Sequence, residues 1–207
     1  MEAHVPDRGR LASVLVPGAR AFLYAAPATP MATPRRTAFS LLVCEEPLTG
    51  VLVAIDPAGA NRRTRVLLEH GLVPGVPPGV AIRPEVKVGA SRLDFLLTRA
   101  GERLLLEVKS VGVTRAGVAR FPDAPTLRGV RHLEELAAFA RAGEGTAMVL
   151  FVVQRGDATA VGPDDEIDPL FAKTLRRLSG TLRLAAVGFD VHPEGSRFQG
   201  ELPVVLG

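Results

Sequence analysis

"RLDFLLTRAGERLLLEVKSV", residues 92–111, sets Asp94, Glu107 and Lys109 inside two strongly apolar runs joined by a turn. A hairpin built only to fill a core would carry apolar side chains at those positions. With Ala100 and Gly101 at the tip, Arg99 faces Glu102, Leu97 faces Leu104, and the same register sets Asp94 opposite Glu107. Strand side chains alternate between faces, so Glu107 and Lys109 share one side while Leu106 and Val108 take the other. Two carboxylates and an ammonium therefore converge on one patch. Directly opposed like charges in a sheet are destabilising, by roughly 0.2–1 kcal/mol per pair. A divalent cation between them reverses that sign. Hard cations such as Mg²⁺ take oxygen ligands, so the two carboxylates and a backbone carbonyl from the intervening strand residue form an open site. Lys109 is placed to position or deprotonate an attacking water, or to stabilise charge developing on a phosphate. The plainer alternative is an ion network in which both acids neutralise Lys109 and nearby arginines at a sheet edge. The apolar setting favours function, because a buried ionisable group beside a like charge is costly.

Outward from the hairpin, "IRPEVKV" reads as a preceding strand and "GANRRTRVLLEHG" as a short helix ending at Gly71. Downstream, the segment 112–125 reads as a long loop able to act as a lid. "TLRGVRHLEELAAFARAG" is an amphipathic helix with Leu127, Val130, Leu133, Leu136, Ala137 and Ala140 on its apolar face. Thr126 caps its start and Gly143 follows its end. Arg128, His132 and Glu135 fall on the opposite face. "AMVLFVVQ" has the length and branching of a fully buried strand. A helix in "PLFAKTLRRLSG" and strands near "RLAAVGFDV" and "ELPVVL" complete an α/β arrangement with a mixed sheet. Before all this, "LASVLV", "RAFLYA", "AFSLLVC" and "GVLVAI" read as short strands separated by Pro, Gly, Thr and Arg clusters. The expected division is a β-rich module over 1–55 and an α/β domain over 56–207.

Composition sets limits on function. With 47% apolar residues the 207-residue chain has ample material for a core. One cysteine, Cys44, excludes an internal disulfide and a cysteine-built zinc site, and it reads as a small buried hydrophobe. "MEAHVPDRGR" is not followed by a signal-like apolar run, and no stretch reaches the roughly 18 apolar residues of a membrane span, so a cytoplasmic protein without a membrane partner is expected. The net charge is +3, yet Lys87, Lys109 and Lys173 are the only lysines among 25 basic residues. In a chain that favours arginine so strongly, a lysine within an apolar strand is not an interchangeable surface cation.

Three stretches, "EVKVGASRLDFLL" (85–97), "LLEVKSV" (105–111) and "FPDAPTLRGVRHLEEL" (121–136), resemble the sugar fermentation stimulation protein A (SfsA) family, whose C-terminal domain is similar to the PD-(D/E)XK nucleases. The resemblance implies a restriction-endonuclease-like α/β domain preceded by an OB-like barrel, and DNA binding with little sequence preference. It implies that Asp94 and Glu107 are metal ligands, that Lys109 is the catalytic lysine, and that Glu85 is an additional acidic residue, its alternative being a surface partner for Lys87. Arg92, Asp123, Arg128 and His132 are then the expected residues for holding a phosphate or orienting a water. The N-terminal part departs from the family: no Cys-Pro-Asn-Thr-Gly segment is present, and Asp56-Pro57 stands where an Asn-Thr pair is expected, although Ala60-Asn61-Arg62 matches. A shortened OB-like module follows from this, with Phe22, Tyr24 and Phe39 as its candidate stacking residues.

The expected function is a nucleic-acid-binding protein, DNA first and RNA second, that hydrolyses phosphodiester bonds with Mg²⁺ or Mn²⁺. The alternative is a non-catalytic DNA-binding regulator of sugar utilisation. A sugar enzyme is disfavoured, because no Gly-rich phosphate loop precedes a helix. Monomer and homodimer both stay open.

Overall fold

The computed structural model describes residues 2–7, 9–25 and 37–207; residues 1, 8 and 26–36 lie outside the described residues. Along the chain run β1 (Ala3–His4), β2 (Ala21–Ala25), β3 (Phe39–Glu45), β4 (Leu52–Ala54), α1 (Pro57–Glu69), β5 (Ala81–Val88), β6 (Ser91–Arg99), β7 (Glu102–Val111), β8 (Val113–Arg115), β9 (Val118–Phe121), α2 (Leu127–Arg141), β10 (Thr146–Val153), β11 (Ala160–Pro163), α3 (Pro169–Leu178), β12 (Arg183–His192) and β13 (Gly195–Leu202). Six of the strands form one mixed sheet, ordered β13-β12-β10-β7-β6-β5. Strand β10 is parallel to both its neighbours, β7 and β12. That central place explains its unbroken apolar run, since both faces are covered. Helices α2 and α3 close one face, packing Leu133, Leu136, Phe171 and Leu175 near Leu105, Val149 and Phe151. Helix α1 closes the other, with Leu67 and Leu68 in one cluster with Leu106, Leu150 and Val152.

The β6–β7 hairpin has the expected register, with Arg99 opposite Glu102 and Leu97 opposite Leu104. Ala100 (φ 49°) and Gly101 (φ 84°) are both left-handed, as a two-residue turn matched to strand twist requires. The ladder runs to Phe95 opposite Leu106 and stops there, one position short of Asp94 and Glu107. The alternation slips at the same place. Leu93 and Leu96 lie in the α2/α3 cluster, whereas Phe95 and Leu97 lie in the α1 cluster. Neighbouring β5 slips in step: Glu85 takes φ 51°, Ile82 packs on the α1 side, and Val86 and Val88 pack on the α2 side. Both strands thus turn over by one face at Glu85 and Asp94, which frees the Asp94 carboxylate from the pleat.

Several expectations change. The segment 112–125 is not an open loop: β8 and β9 form a hairpin and, with β11, a three-stranded sheet. "LASVLV" forms turns rather than a strand, although Leu11 and Val14 are buried. Strand β13 begins earlier than "ELPVVL" and takes in only its Glu201 and Leu202, with Val204 adding an isolated bridge.

The N-terminal sheet joins β1, β2 and β4 to β3 and is the reduced β-rich, OB-like module expected from the sequence. Its core holds Leu11, Val14, Leu41, Cys44, Val53 and Ile55. Burial raises the Cys44 thiol pKa, in keeping with an inert packing residue. Arg155 fastens this module to the main sheet. Its side chain is fully buried and donates from Nη1 and Nη2 to Glu46, from Nε and Nη2 to Asp157, and from Nη1 to the Gly112 carbonyl. All five guanidinium N–H groups are used. Arg155→Met leaves two carboxylates without their cation, so chemical denaturation is expected to show a loss of about 3–5 kcal/mol; a loss below about 1 kcal/mol would show that the network does not hold the module.

Candidate active site

Where β6 and β7 part, a cleft of ≈ 290 Å³ opens between the first turns of α1 and α2. Its lining includes Asn61, Asp94, Glu107, Lys109, Ser110, Arg128 and His132. Asp94 is held on both oxygens. Asn61 Nδ2 donates to Oδ1 at 2.7 Å, and the Val108 backbone N–H donates to Oδ2 at 2.8 Å. The ladder break therefore has a structural replacement, a side-chain carboxylate taking an N–H from the adjacent strand.

Glu107 is 4% exposed and sits at the centre of a charge cluster. Its Oε1 accepts from Lys109 Nζ at 2.8 Å and from His132 Nδ1. Arg128 Nε donates to His132 Nε2 at 3.2 Å. An arginine N–H can only donate, so Nε2 is the accepting nitrogen and the His132 proton resides on Nδ1, aimed at Glu107. Glu107 Oε2, by contrast, is buried with no hydrogen-bond partner. A buried carboxylate oxygen left open costs free energy unless something else meets it.

The two acids respond oppositely to this setting. Burial, then the neighbouring Glu107 charge, pushes the Asp94 carboxyl up to about 6, against the opposing hydrogen bonds from Val108 and Asn61. Burial also works to raise Glu107, but the Lys109 charge and the His132 hydrogen bond outweigh it and hold the group at about 2. Two like charges in one cleft have been driven apart in pKa, the pattern expected of a site with chemistry to perform.

Among the other expected residues, Glu85 and Arg92 pair with each other at 3.0 Å, both largely exposed, and neither lines the cleft. The turnover of β5 at Glu85 sends its side chain outward, and its partner is Arg92 rather than Lys87. Asp123 does not line this cleft with Arg128 and His132; it accepts from the Leu11 backbone N–H at 3.4 Å and borders a second cleft. His132 is 3% exposed, not on a solvated face, and Leu127, expected in the apolar stripe, is 76% exposed. The buried stripe of α2 instead runs through Gly129, His132, Leu133, Leu136, Ala137 and Phe139. Thr126 caps α2 as expected, accepting from Gly129 N at 2.9 Å.

Sequence reasoning gave no role to Asn61, Ser110 or Gln154. Asn61 falls on the first turn of α1, and its place in the matching Ala60-Asn61-Arg62 stretch was a usable signal. Gln154, fully buried at the end of β10, donates to Ser110 Oγ and accepts from Arg63 Nη1. No local pattern marks it out.

The raised Asp94 pKa makes a stability prediction. The unfolded carboxyl, near 3.8, releases its proton before the folded one, so the unfolded chain binds fewer protons between about pH 4 and about pH 6 and stability falls as pH rises through that window. Asp94→Asn removes the penalty while keeping the shape, because a flipped Asn61 can still accept from the new amide. The variant is expected to melt several degrees above wild type at pH 7.5 without metal, about 2–3 kcal/mol, and to match it below pH 4. Equal melting at both pH values would show that Asp94 bears no desolvation penalty.

Residues 59–195 match the family described as the sugar fermentation stimulation protein RE domain. A sugar fermentation stimulation protein homolog from Chloroflexus aurantiacus is 38% identical over 205 residues, covering 99% of this chain and 76% of the relative. Another from Symbiobacterium thermophilum is 42% identical over 220 residues, covering 98% and 84%. The structure of Pyrococcus furiosus SfsA in complex with Ca²⁺ superposes with a TM-score of 0.87 at 28% identity, over 98% of this chain and 85% of that one. By sequence and by fold, the chain belongs to the sugar fermentation stimulation protein (SfsA) family.

Proposed function

We propose that this protein binds nucleic acid and hydrolyses phosphodiester bonds with a divalent cation, Mg²⁺ or Mn²⁺, held by Asp94 and Glu107. The observation that carries the reading is the open Glu107 Oε2, buried beside a second carboxylate. The donor set fits a hard cation, since it offers carboxylate oxygens and no thiolate. Among the described residues no group of three or more His, Cys, Asp and Glu side chains is arranged to hold a metal. Two carboxylates, with water and substrate phosphate completing the shell, is the manner in which Mg²⁺ is commonly held. The P. furiosus SfsA structure, a Ca²⁺ complex, supports an oxygen-ligated cation in this family.

A cation bound there supplies charge stabilisation to the phosphate and acidifies a bound water. The chain's own groups do the rest. Lys109, 7% exposed and fixed by Glu107, presents an ammonium to the attacking water or to a phosphoryl oxygen. Asn61 and Val108 N–H hold the Asp94 carboxylate in one orientation. Arg128, its Nε committed to His132, meets a phosphate with its Nη groups. His132 keeps Glu107 Oε1 occupied, so Oε2 is the oxygen offered to the metal.

One observation favours a second reading, a DNA-binding regulator without catalysis: Glu107 has partners within the chain itself, an ion pair with Lys109 and a hydrogen bond from His132. The two readings separate in a cleavage assay on labelled single-stranded DNA, duplex DNA and RNA with Mg²⁺, Mn²⁺ or EDTA. Wild type is expected to give metal-dependent products, with Glu107→Gln and Lys109→Ala each slowed by about 10²–10⁴-fold. Mg²⁺ is also expected to raise the melting temperature of wild type but not of Asp94→Asn. Binding without cleavage under every condition, with no thermal shift, would favour the regulator.

A further inference from the structure

A second cleft of ≈ 210 Å³ adjoins the first, and Pro57, Val108, Lys109 and Ser110 line both. It lies between the N-terminal segment that carries Asp7, Leu11 and Val14 and the strands β4, β7 and β9. Lys109 therefore stands on the boundary between two connected spaces. The volume is below the ~300–1,000 Å³ of sites for drug-sized ligands, so one small ring system is what fits.

The lining decides which part of a polynucleotide could enter. Leu11, Val14, Val53 and Ile55 supply buried apolar walls. The charged groups are two carboxylates, Asp7 and Asp123, and two cations whose heads are engaged elsewhere, Lys109 Nζ on Glu107 and Arg120 Nη1 on the Pro163 carbonyl. The two carboxylates disfavour a phosphate beside them, whereas the ring N–H and exocyclic amino groups of a base are donors that a carboxylate accepts. An apolar slot with acceptor groups suits a nucleobase and excludes the backbone that carries it. The first cleft differs in kind: its carboxylates, Asp94 and Glu107, are the pair assigned above to a cation, and Lys109 and Arg128 beside them suit a phosphate.

Resting on the phosphodiesterase reading above, the geometry points to a base-binding subsite: one unpaired nucleobase next to the scissile phosphate is buried in the second cleft, making single-stranded nucleic acid the substrate class. A base in a duplex is stacked and paired, and extruding it costs free energy that an unpaired base does not pay. The N-terminal segment therefore acts as a wall of the substrate site, and Asp123, which holds Leu11 N, positions that wall.

The test compares an unstructured pyrimidine octamer with a fully abasic octamer of the same length and charge, binding each to the full-length Glu107→Gln chain. Because every base is missing from the second probe, the result does not depend on binding register. The abasic probe is expected to bind at least 10-fold more weakly, and an intact duplex no better than the abasic strand. Val14→Trp, which crowds the slot, is expected to bring the normal octamer down to the abasic level while the abasic octamer binds as before, a combination that loss of the fold would not give. Equal affinity for normal and abasic strands, or preference for intact duplex, overturns the inference. Cleavage by the wild-type chain provides a separate readout. Metal-dependent cutting that is equal on normal and abasic strands upholds the nuclease and removes the base subsite. A tenfold binding difference with no cutting does the opposite.

Discussion

The break in the β6–β7 ladder at Asp94 is the constraint on which the site depends. An unbroken hairpin would pair Asp94 and Glu107 across the strands and keep both carboxylates fixed in the pleat. Instead Val108 N–H is met by a carboxylate oxygen, β6 turns over by one face, and β5 follows it through a left-handed Glu85. A non-glycine residue in that conformation costs of order 1–2 kcal/mol, and the surrounding hairpin has to supply it. Leu93, Phe95, Leu97, Leu105 and Leu106 are each at most 4% exposed, and that packing fixes the strands on either side of the break. The site is a local departure from sheet regularity, held in place by the most regular and best buried part of the molecule.

Two buried charge networks in the same chain sharpen the meaning of the open Glu107 oxygen. Around Arg155 every N–H has an acceptor, and Glu46 is pulled below its ordinary pKa first by the Arg155 hydrogen bond. Buried charges that serve only to join two sheets are thus fully satisfied here. Around Glu107 one oxygen has two donors and the other has none. Loose packing does not account for the difference, because Lys109, His132 and Glu107 are all under 10% exposed. Within this network the unsatisfied atom belongs to a carboxylate that lines the cleft, as expected of a ligand atom.

The fold was readable where the signal was periodic and long. The hairpin register followed from the turn at Ala100-Gly101, α2 from its Thr126 cap and its spacing, and β10 from an apolar run that only a doubly covered strand sustains. The failures share a physical cause, which is that a short element takes its role from its neighbours. Strands β8 and β9 are three and four residues long and form because β11 is there to pair with β9. Leu11 and Val14 satisfy a core without any strand at all. Glu85 looked catalytic by position, but a turnover invisible in the residue pattern sends it outward to Arg92. His132 was placed on a polar helix face, since nothing local reveals that a buried carboxylate awaits its Nδ1 proton. Asp94, Glu107 and Lys109 were legible because charged residues within apolar strands need an explanation wherever the strands end up.

The reduced N-terminal module fits the same logic. Its own core is a handful of side chains, too small to support an independent domain of this kind. It is held instead by Arg155, by Ala54 N–H donating to the Gln154 carbonyl at 3.1 Å, and by Val191 of β12 packing with Val43 and Ala54. Its candidate aromatics are drawn into that docking: Tyr24 donates its hydroxyl to the Pro193 carbonyl, and Phe22 lies under Arg20 and beside the Val191 cluster. A module so attached has little freedom to present a separate stacking surface. What it does contribute is Asp7, Leu11, Ser13 and Val14, which line the second cleft together with Val108, Lys109, Ser110 and Val111 of β7. The part of the module next to the candidate site is thus a wall of the second cleft, which shares Val108, Lys109 and Ser110 with the first.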